Sequence, residues 1–291
     1  PNYIEKHYFK NSTTVFTSST RRNPIPESTN DEPIVKIGDK VKIRVKNASK
    51  ICNESFNIDF KDGLNNIVTS ADLSIQKYLN EQLLLLIPDS SFYEEESEFN
   101  LVNKKYLWII DPIDGTENFS RGIKDFVISV ALAFEGEVVL GVCYVPKTDE
   151  LFSAIKGHGS YLNGKKITVS KRPFNESLFL TAFSLYKKEY AGICMDILKD
   201  VYPLVKDFRR FGSCANELCM MAKGEEELFF EIRVFLWDYA AAVLILKEAG
   251  GCINVAGTLK EITPVIAANN LENYQKLNDI VMKHLGEKKY E

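Results

Sequence analysis

Apolar residues recur at Ile34, Ile37, Val41, Val45, Ala48, Ile51 and Cys52, spacings of three and four that fall on one face of a helix. Val41, Ile43 and Val45 also alternate as a strand would, but the helical rhythm lasts longer and a helix is expected. A short strand at 67–69 follows. Thr69 or Ser70 can cap a helix that carries Ile75, Leu79, Leu83 and Leu86 on one side and stops at Pro88. The unbroken apolar run at 107–110 suits a buried strand. Segments 126–134, 138–145 and 150–155 are separated by Glu135-Gly136-Glu137 and by Pro146-Lys147-Thr148-Asp149, both turn signals. They predict an antiparallel meander running on toward Tyr161 and Asn163-Gly164.

The second half has a different rhythm. Strands are expected at 178–183, 208–211, 228–231, 252–255 and 265–268. A helical stretch runs from the first of these to about Asp207, and helices at 215–222, 239–249 and 271–285 fill the other gaps, the middle one stopped by Gly250-Gly251. Alternation of this kind predicts a layered α/β architecture. Residues 1–33 are rich in Ser, Thr, Asn and Pro and read as a polar N-terminal extension.

Composition narrows the chemistry. The chain has 291 residues and 45% hydrophobic content, enough for a substantial core. Its net charge of -4, from 36 basic and 40 acidic residues, gives no pull toward nucleic acid or a membrane surface. No apolar run approaches the ~20 residues that span a bilayer, and residues 1–10 lack the apolar core of a secretory signal. Six cysteines, none in a C-x-x-C pair, lie mostly in apolar runs and read as buried reduced thiols, in keeping with a cytoplasmic location. Three distant histidines argue against a His-based zinc site or a Ser-His-Asp triad. Any metal would be held by oxygen.

The segment Asp111-Pro112-Ile113-Asp114-Gly115-Thr116-Glu117-Asn118-Phe119 ends the buried run at 107–110 with two carboxylates. Held close together, they repel unless a cation lies between them, and Mg2+ prefers hard oxygen ligands. Gly115 permits a tight turn that can present the Gly115 and Thr116 amides to a phosphate. The alternative is an Asx-type turn in which the aspartates only cap backbone groups. Glu94-Glu95-Glu96 is either a metal-binding cluster or a solvated charge run. Asp72 and Asp238 each sit in the first turn of a helix, where the dipole favours a carboxylate whether or not it has another role.

Together these segments resemble the inositol monophosphatase family. Asp111-Pro112-Ile113-Asp114-Gly115-Thr116 with Asn118-Phe119 is similar to one family signature, and Trp237-Asp238 with Glu248-Ala249-Gly250-Gly251 to a second. Val68-Thr69-Ser70-Ala71-Asp72 and Glu95-Glu96-Ser97 stand upstream in the expected order. The resemblance covers the chain from about Val41 to its end. It implies a layered αβαβα sandwich over residues 34–291, in halves of about 34–170 and 171–291.

It also implies two or three Mg2+ ions, held by Glu95, Asp111, the Ile113 carbonyl, Asp114 and Asp238. Asp72 and Thr116 would position and deprotonate the attacking water. Gly212, Ser213 and Cys214 would lie near the substrate, joined by Asp114, Gly115 and Thr116, and Glu231 would contact its hydroxyls. The implied reaction is hydrolysis of a small phosphate monoester, such as myo-inositol monophosphate or another polyol phosphate, directly by water. Fructose 1,6-bisphosphate, histidinol phosphate and 3'-phosphoadenosine 5'-phosphate are the alternatives within the family. A homodimer and lithium sensitivity are implied as well, with no nucleic-acid or membrane partner.

Glu94, Glu117 and Asn66 depart from the family pattern, and Arg209-Arg210 either forms a surface ion-pair cluster or reaches a second anionic group. A phosphatase of the haloacid dehalogenase type is disfavoured, because two residues rather than one separate Asp111 and Asp114. A binding or assembly protein that keeps the fold without turnover is the reading from another class.

Overall fold

The computed structural model describes residues 31–61, 67–96, 105–183, 187–254 and 263–286. Most of the expected polar extension therefore lies outside the described residues, as do Asn66, Ser97 and Val255.

The first helix, α1 (Asp31–Ala48), buries Val41, Val45 and Ala48 on one stripe, so the longer helical period prevails over the local alternation at Ile43. A hairpin of β1 (Ile58–Phe60) and β2 (Ile67–Thr69) leads into α2 (Ser70–Leu84). The cap is reciprocal: Thr69 Oγ1 accepts the Asp72 amide while the Thr69 amide donates to Asp72 Oδ2 at 2.8 Å.

Among the described residues a seven-stranded sheet follows in simple order: β3 (Ser90–Glu94), β4 (Tyr106–Asp114), β5 (Val127–Phe134), β6 (Glu137–Val145), β7 (Glu150–Ile155), β8 (Gly159–Leu162) and β9 (Lys165–Ile167). β3 runs parallel to β4, and every later pairing is antiparallel, which is the expected meander. Glu94 ends β3 and is 7% exposed, so the Glu94-Glu95-Glu96 run is not a free solvated face.

A second, five-stranded sheet has the order β11-β10-β12-β14-β13, built from β10 (Leu178–Ala182), β11 (Asp207–Arg209), β12 (Leu228–Val234), β13 (Cys252–Ile253) and β14 (Thr263–Ala268). The helical stretch expected before Asp207 is a single α4 (Ala191–Val201) flanked by short 3-10 turns. The remaining helices are α3 (Thr116–Ser120), α5 (Cys214–Ala222), α6 (Leu236–Glu248) and α7 (Leu271–Leu285).

Strand alternation distributes the core among the layers. Trp108 and Ile110 face α1 and α2. Ile109 points the other way, toward α5 and α6, which also receive Phe229 and Val265 from the second sheet. The far face of that sheet, with Phe179, Phe230 and Ile266, packs on α4 and α7. The result is a five-layer αβαβα sandwich. α6 is buried along almost its whole length because it has a sheet on each side.

Candidate active site

In a regular strand, residues three apart point to opposite faces. Asp111 pairs with Ser129 and Asp114 with Val127, so one extra residue is accommodated on β4 between them. Pro112, which has no amide hydrogen to give the ladder, lies in that bulge. The bulge lets both carboxylates reach one cleft. Asp111 Oδ1 accepts the Ile113 amide at 3.0 Å, so the Asx-type turn forms as well. Gly115 then turns the chain with φ +96°, and a Cβ there would stand 3.0 Å from the Asp125 carbonyl oxygen. The turn starts α3 at Thr116, whose Oγ1 is 3.0 Å from the Ile113 carbonyl and 3.5 Å from Asp72 Oδ1.

The second sheet supplies the facing wall. Ser213 caps α5, accepting the Asn216 amide at 3.3 Å and donating its own proton to Asp114 Oδ2 at 2.7 Å. The Ala215 amide reaches the same oxygen at 2.6 Å. Asp238 lies one turn into α6 and takes the Phe235 amide on Oδ2 at 2.8 Å, which leaves its other oxygen for the cleft. Glu231 is on β12.

The cleft spans about 830 Å3 measured to its open mouth, and it brings together most of the residues expected from the sequence. Glu95, Asp111, Ile113, Asp114 and Asp238 line it, as do Gly115, Thr116, Gly212, Ser213, Cys214 and Glu231. Asp72 does not. It is fully buried behind Thr116, and burial raises its carboxyl to about 6. The Gly212 amide is taken by Glu217 Oε1 at 2.9 Å and the Ser213 hydroxyl by Asp114, so neither donor stands free. Among the departures from the family pattern, Glu117 lines the cleft and pairs with Arg121 at 2.5 Å. Of the two arginines, Arg209 pairs with Asp207 at the surface and Arg210 lines the cleft.

Sequence reasoning missed Glu217, Phe183 and Arg233 as lining residues. Glu217 is 1% exposed and also accepts the Phe211 amide at 2.7 Å. A carboxylate in the largely apolar segment 214–222 was the available signal. Arg233 follows Glu231 by two residues on β12, and strand alternation would have placed them on one side.

Negative charge is in excess here. Asp111 is pushed well up by burial and then by Glu95, Asp114 and Asp238. Asp238 is pushed well up by burial and then by Asp114 and Glu95, and burial carries Asp114 to about 7. A cation relieves these costs. The donors are hard oxygens, and one wall already takes a cation: the Lys61 ammonium is 3.0 Å from Glu95 Oε1 and contacts Glu96 too. The donor set therefore fits a hard divalent ion. Among the described residues, no three acidic, His or Cys side chains already converge at metal-ligand distance.

The profile of the inositol monophosphatase family matches residues 31–285. A fructose-1,6-bisphosphatase/inositol-1-monophosphatase from Aquifex aeolicus is 34% identical over 242 residues, covering 82% of this chain and 88% of that protein. Nus factor SuhB from Escherichia coli is 34% identical over 194 residues, covering 66% of this chain and 73% of its own. The solved structure of an inositol monophosphatase from Anabaena superposes with a TM-score of 0.74 at 27% identity, over 86% of this chain and 96% of that one. All six cysteines are free and buried, and no helix among the described residues is long and apolar enough to cross a membrane.

Proposed function

This chain belongs to the inositol monophosphatase family, and from that premise we propose that it hydrolyses a small phosphate monoester with Mg2+, myo-inositol monophosphate or a related polyol or sugar phosphate. The observation that carries the reading is the shared cleft: Glu95, Asp111 and Asp114 reach it from one sheet, and Asp238 reaches it from the helix against the other. Glu95, Asp111, the Ile113 carbonyl, Asp114 and Asp238 would hold the ions. Bound Mg2+ supplies neutralisation of the phosphoryl oxygens, a more acidic water and stabilisation of the leaving oxygen.

The protein's own residues orient the rest. Thr116 Oγ1 holds the nucleophilic water, and Asp72 Oδ1 takes a proton through Thr116 from behind the cleft wall. Asp72 Oδ2 is fixed by its bond to the Thr69 amide, so the base does not swing away. Asp114 Oδ2 is fixed by Ser213 and Ala215, which leaves Oδ1 for the cation. Glu231 accepts from substrate hydroxyls. Attack is direct and in line, with no covalent intermediate. The Gly115–Thr116 turn receives the phosphate, and the protein works as a homodimer in the cytoplasm.

The test is inorganic phosphate release from a panel of phosphate monoesters with Mg2+, with EDTA, and with Mg2+ plus lithium. Mg2+-dependent release that lithium suppresses supports the reading, and the ranking of esters names the substrate. A second reading, an assembly protein that keeps the fold, is favoured by the relatives named Nus factor. Absence of release from every ester would select it.

A further inference from the structure

β12 carries Arg233 into the cleft two residues beyond Glu231. Among the described residues its guanidinium is not anchored by a carboxylate. The Arg233 carbon Cζ lies over the Phe235 ring at 4.6 Å, Phe235 stacks on Trp237 with centroids 4.7 Å apart, and Trp237 packs on the buried Tyr93 at 5.1 Å. Aromatic faces hold a planar cation in place without cancelling its charge. Arg233 Nε is buried and has no hydrogen-bond partner among the described residues. The other two arginines of this region differ. Arg209 is paired with Asp207, and Arg210 faces Glu217 and Glu231.

Arg233 acts electrostatically on Asp238. In the proposed function Asp238 is committed to a cation, and the guanidinium is then left without a counter-charge. A positioned, half-buried guanidinium with no carboxylate partner among the described residues matches a planar or tetrahedral oxyanion, which its two terminal nitrogens take through parallel N–H bonds. The scissile phosphate belongs at the Asp111–Thr116 wall, so this oxyanion is a different group of the same ligand.

We propose that Arg233 selects phosphate esters bearing a second anionic group, a carboxylate or a second phosphate, over esters of neutral polyols. The proposal rests on the phosphatase reading for its substrate and on Arg233 for its selectivity.

The experiment compares wild type, Arg233→Gln and Arg233→Lys, in Mg2+, on glycerol 2-phosphate, 3-phosphoglycerate and fructose 1,6-bisphosphate. Both kcat/KM and calorimetric binding of each compound are measured. In Arg233→Gln, the preference for a dianionic-tail ester over glycerol 2-phosphate should fall about tenfold or more, the range of a lost charged hydrogen bond. Arg233→Lys should recover part of it. The carboxylate and bisphosphate arms show which anion is read. An equal loss on all three compounds, or an unchanged ratio, overturns the proposal and leaves the phosphatase reading standing. Binding of the dianionic compounds that depends on Arg233, with no turnover of any ester by wild type, supports the anion site and removes the phosphatase reading. Wild type that neither turns over nor binds the dianionic compounds in preference overturns both.

Discussion

Carboxylate charge converges on Asp111, since Glu95, Asp114, Asp238 and Asp72 all act on it. The proposed function makes it a ligand shared by both principal ions. Asp111→Asn keeps the size and the oxygen that accepts the Ile113 amide, so folding should survive while the cation loses its bridging charge. Loss of an outer-shell partner alone costs ~10–100-fold in metal-site function, and kcat/KM of Asp111→Asn should fall by about 100-fold or more. Near-wild-type turnover would sink the metal assignment. Glu217 gives a cleaner test of electrostatics, because it is buried but is not one of the proposed ligands. Burial raises its carboxyl from 4.5 to about 7. The unfolded chain therefore ionises near 4.5 while the folded protein keeps its proton until about 7. Stability contributed by this site is complete below about 4.5 and falls as pH rises, with the penalty full above about 7. Glu217→Gln retains an acceptor for the Phe211 and Gly212 amides and has no charge to bury. Urea unfolding should show the variant gaining on wild type between pH 4.5 and pH 8, by about 3 kcal/mol at most given the shift to about 7. A gap that does not change with pH would mean that Glu217 carries no such penalty.

The elements differ in how legible they were. α1, α2, α5, α6 and α7 announced themselves by period and caps, and β5 to β7 by alternation between turns. β3 did not, because Ser90 and Ser91 are polar yet buried, and their burial comes from pairing beside β4 rather than from an apolar pattern. The same pairing brings Glu94-Glu95-Glu96 to the cleft rim, which no local rule distinguishes from a solvated run. The bulge in β4 was foreshadowed by Pro112, but its effect on the facing of Asp111 and Asp114 needed the partner strand. β11 starts one residue before the expected 208–211 and stops two residues short, at Arg209, because Phe211 and Gly212 are bent round Glu217 by two backbone bonds. Gly141 shows what an element-level contact demands. An added Cβ on β6 would stand 2.5 Å from the Ala241 carbonyl oxygen and 3.1 Å from its Cα, both backbone of α6. Neither can rotate away, so Gly141→Ala should displace α6 and cost about 1–3 kcal/mol in urea unfolding. α6 carries Trp237 and Asp238 in its first turn, so turnover should fall along with stability. Unchanged unfolding would mean that helix and sheet can separate freely at this point.

The molecule as a whole assembles its cleft from two sheets that sandwich α5 and α6. Each sheet brings carboxylates toward the other: Asp111 and Asp114 from the first, Asp238 and Glu231 from the second side. Sequence order gave the candidates, because each lies in its own recognisable segment. It left Arg233 and Glu217 undistinguished, because their local signals take on meaning only where the two sides face one another. Without a cation, this seam is a place of repulsion, with burial and neighbouring acids raising Asp111, Asp114 and Asp238 together. A ligand that binds only the folded state stabilises it by mass action, about 2.7 kcal/mol at a hundred times its Kd, which is about 5–10 °C or less in Tm for a chain of this size. Mg2+ should therefore raise Tm, and EDTA should reverse the rise. Asp238→Asn separates the two contributions to that effect. It removes one repelling charge from the metal-free seam, so its Tm in EDTA should equal or exceed that of wild type. It also removes a proposed ligand, so most of the Mg2+-dependent rise should disappear. The two changes have opposite signs, and simple damage to α6 would lower both values. If Asp238→Asn kept the full Mg2+ increment, the cation would not bridge the sheets, and the cleft would be held together by the protein alone.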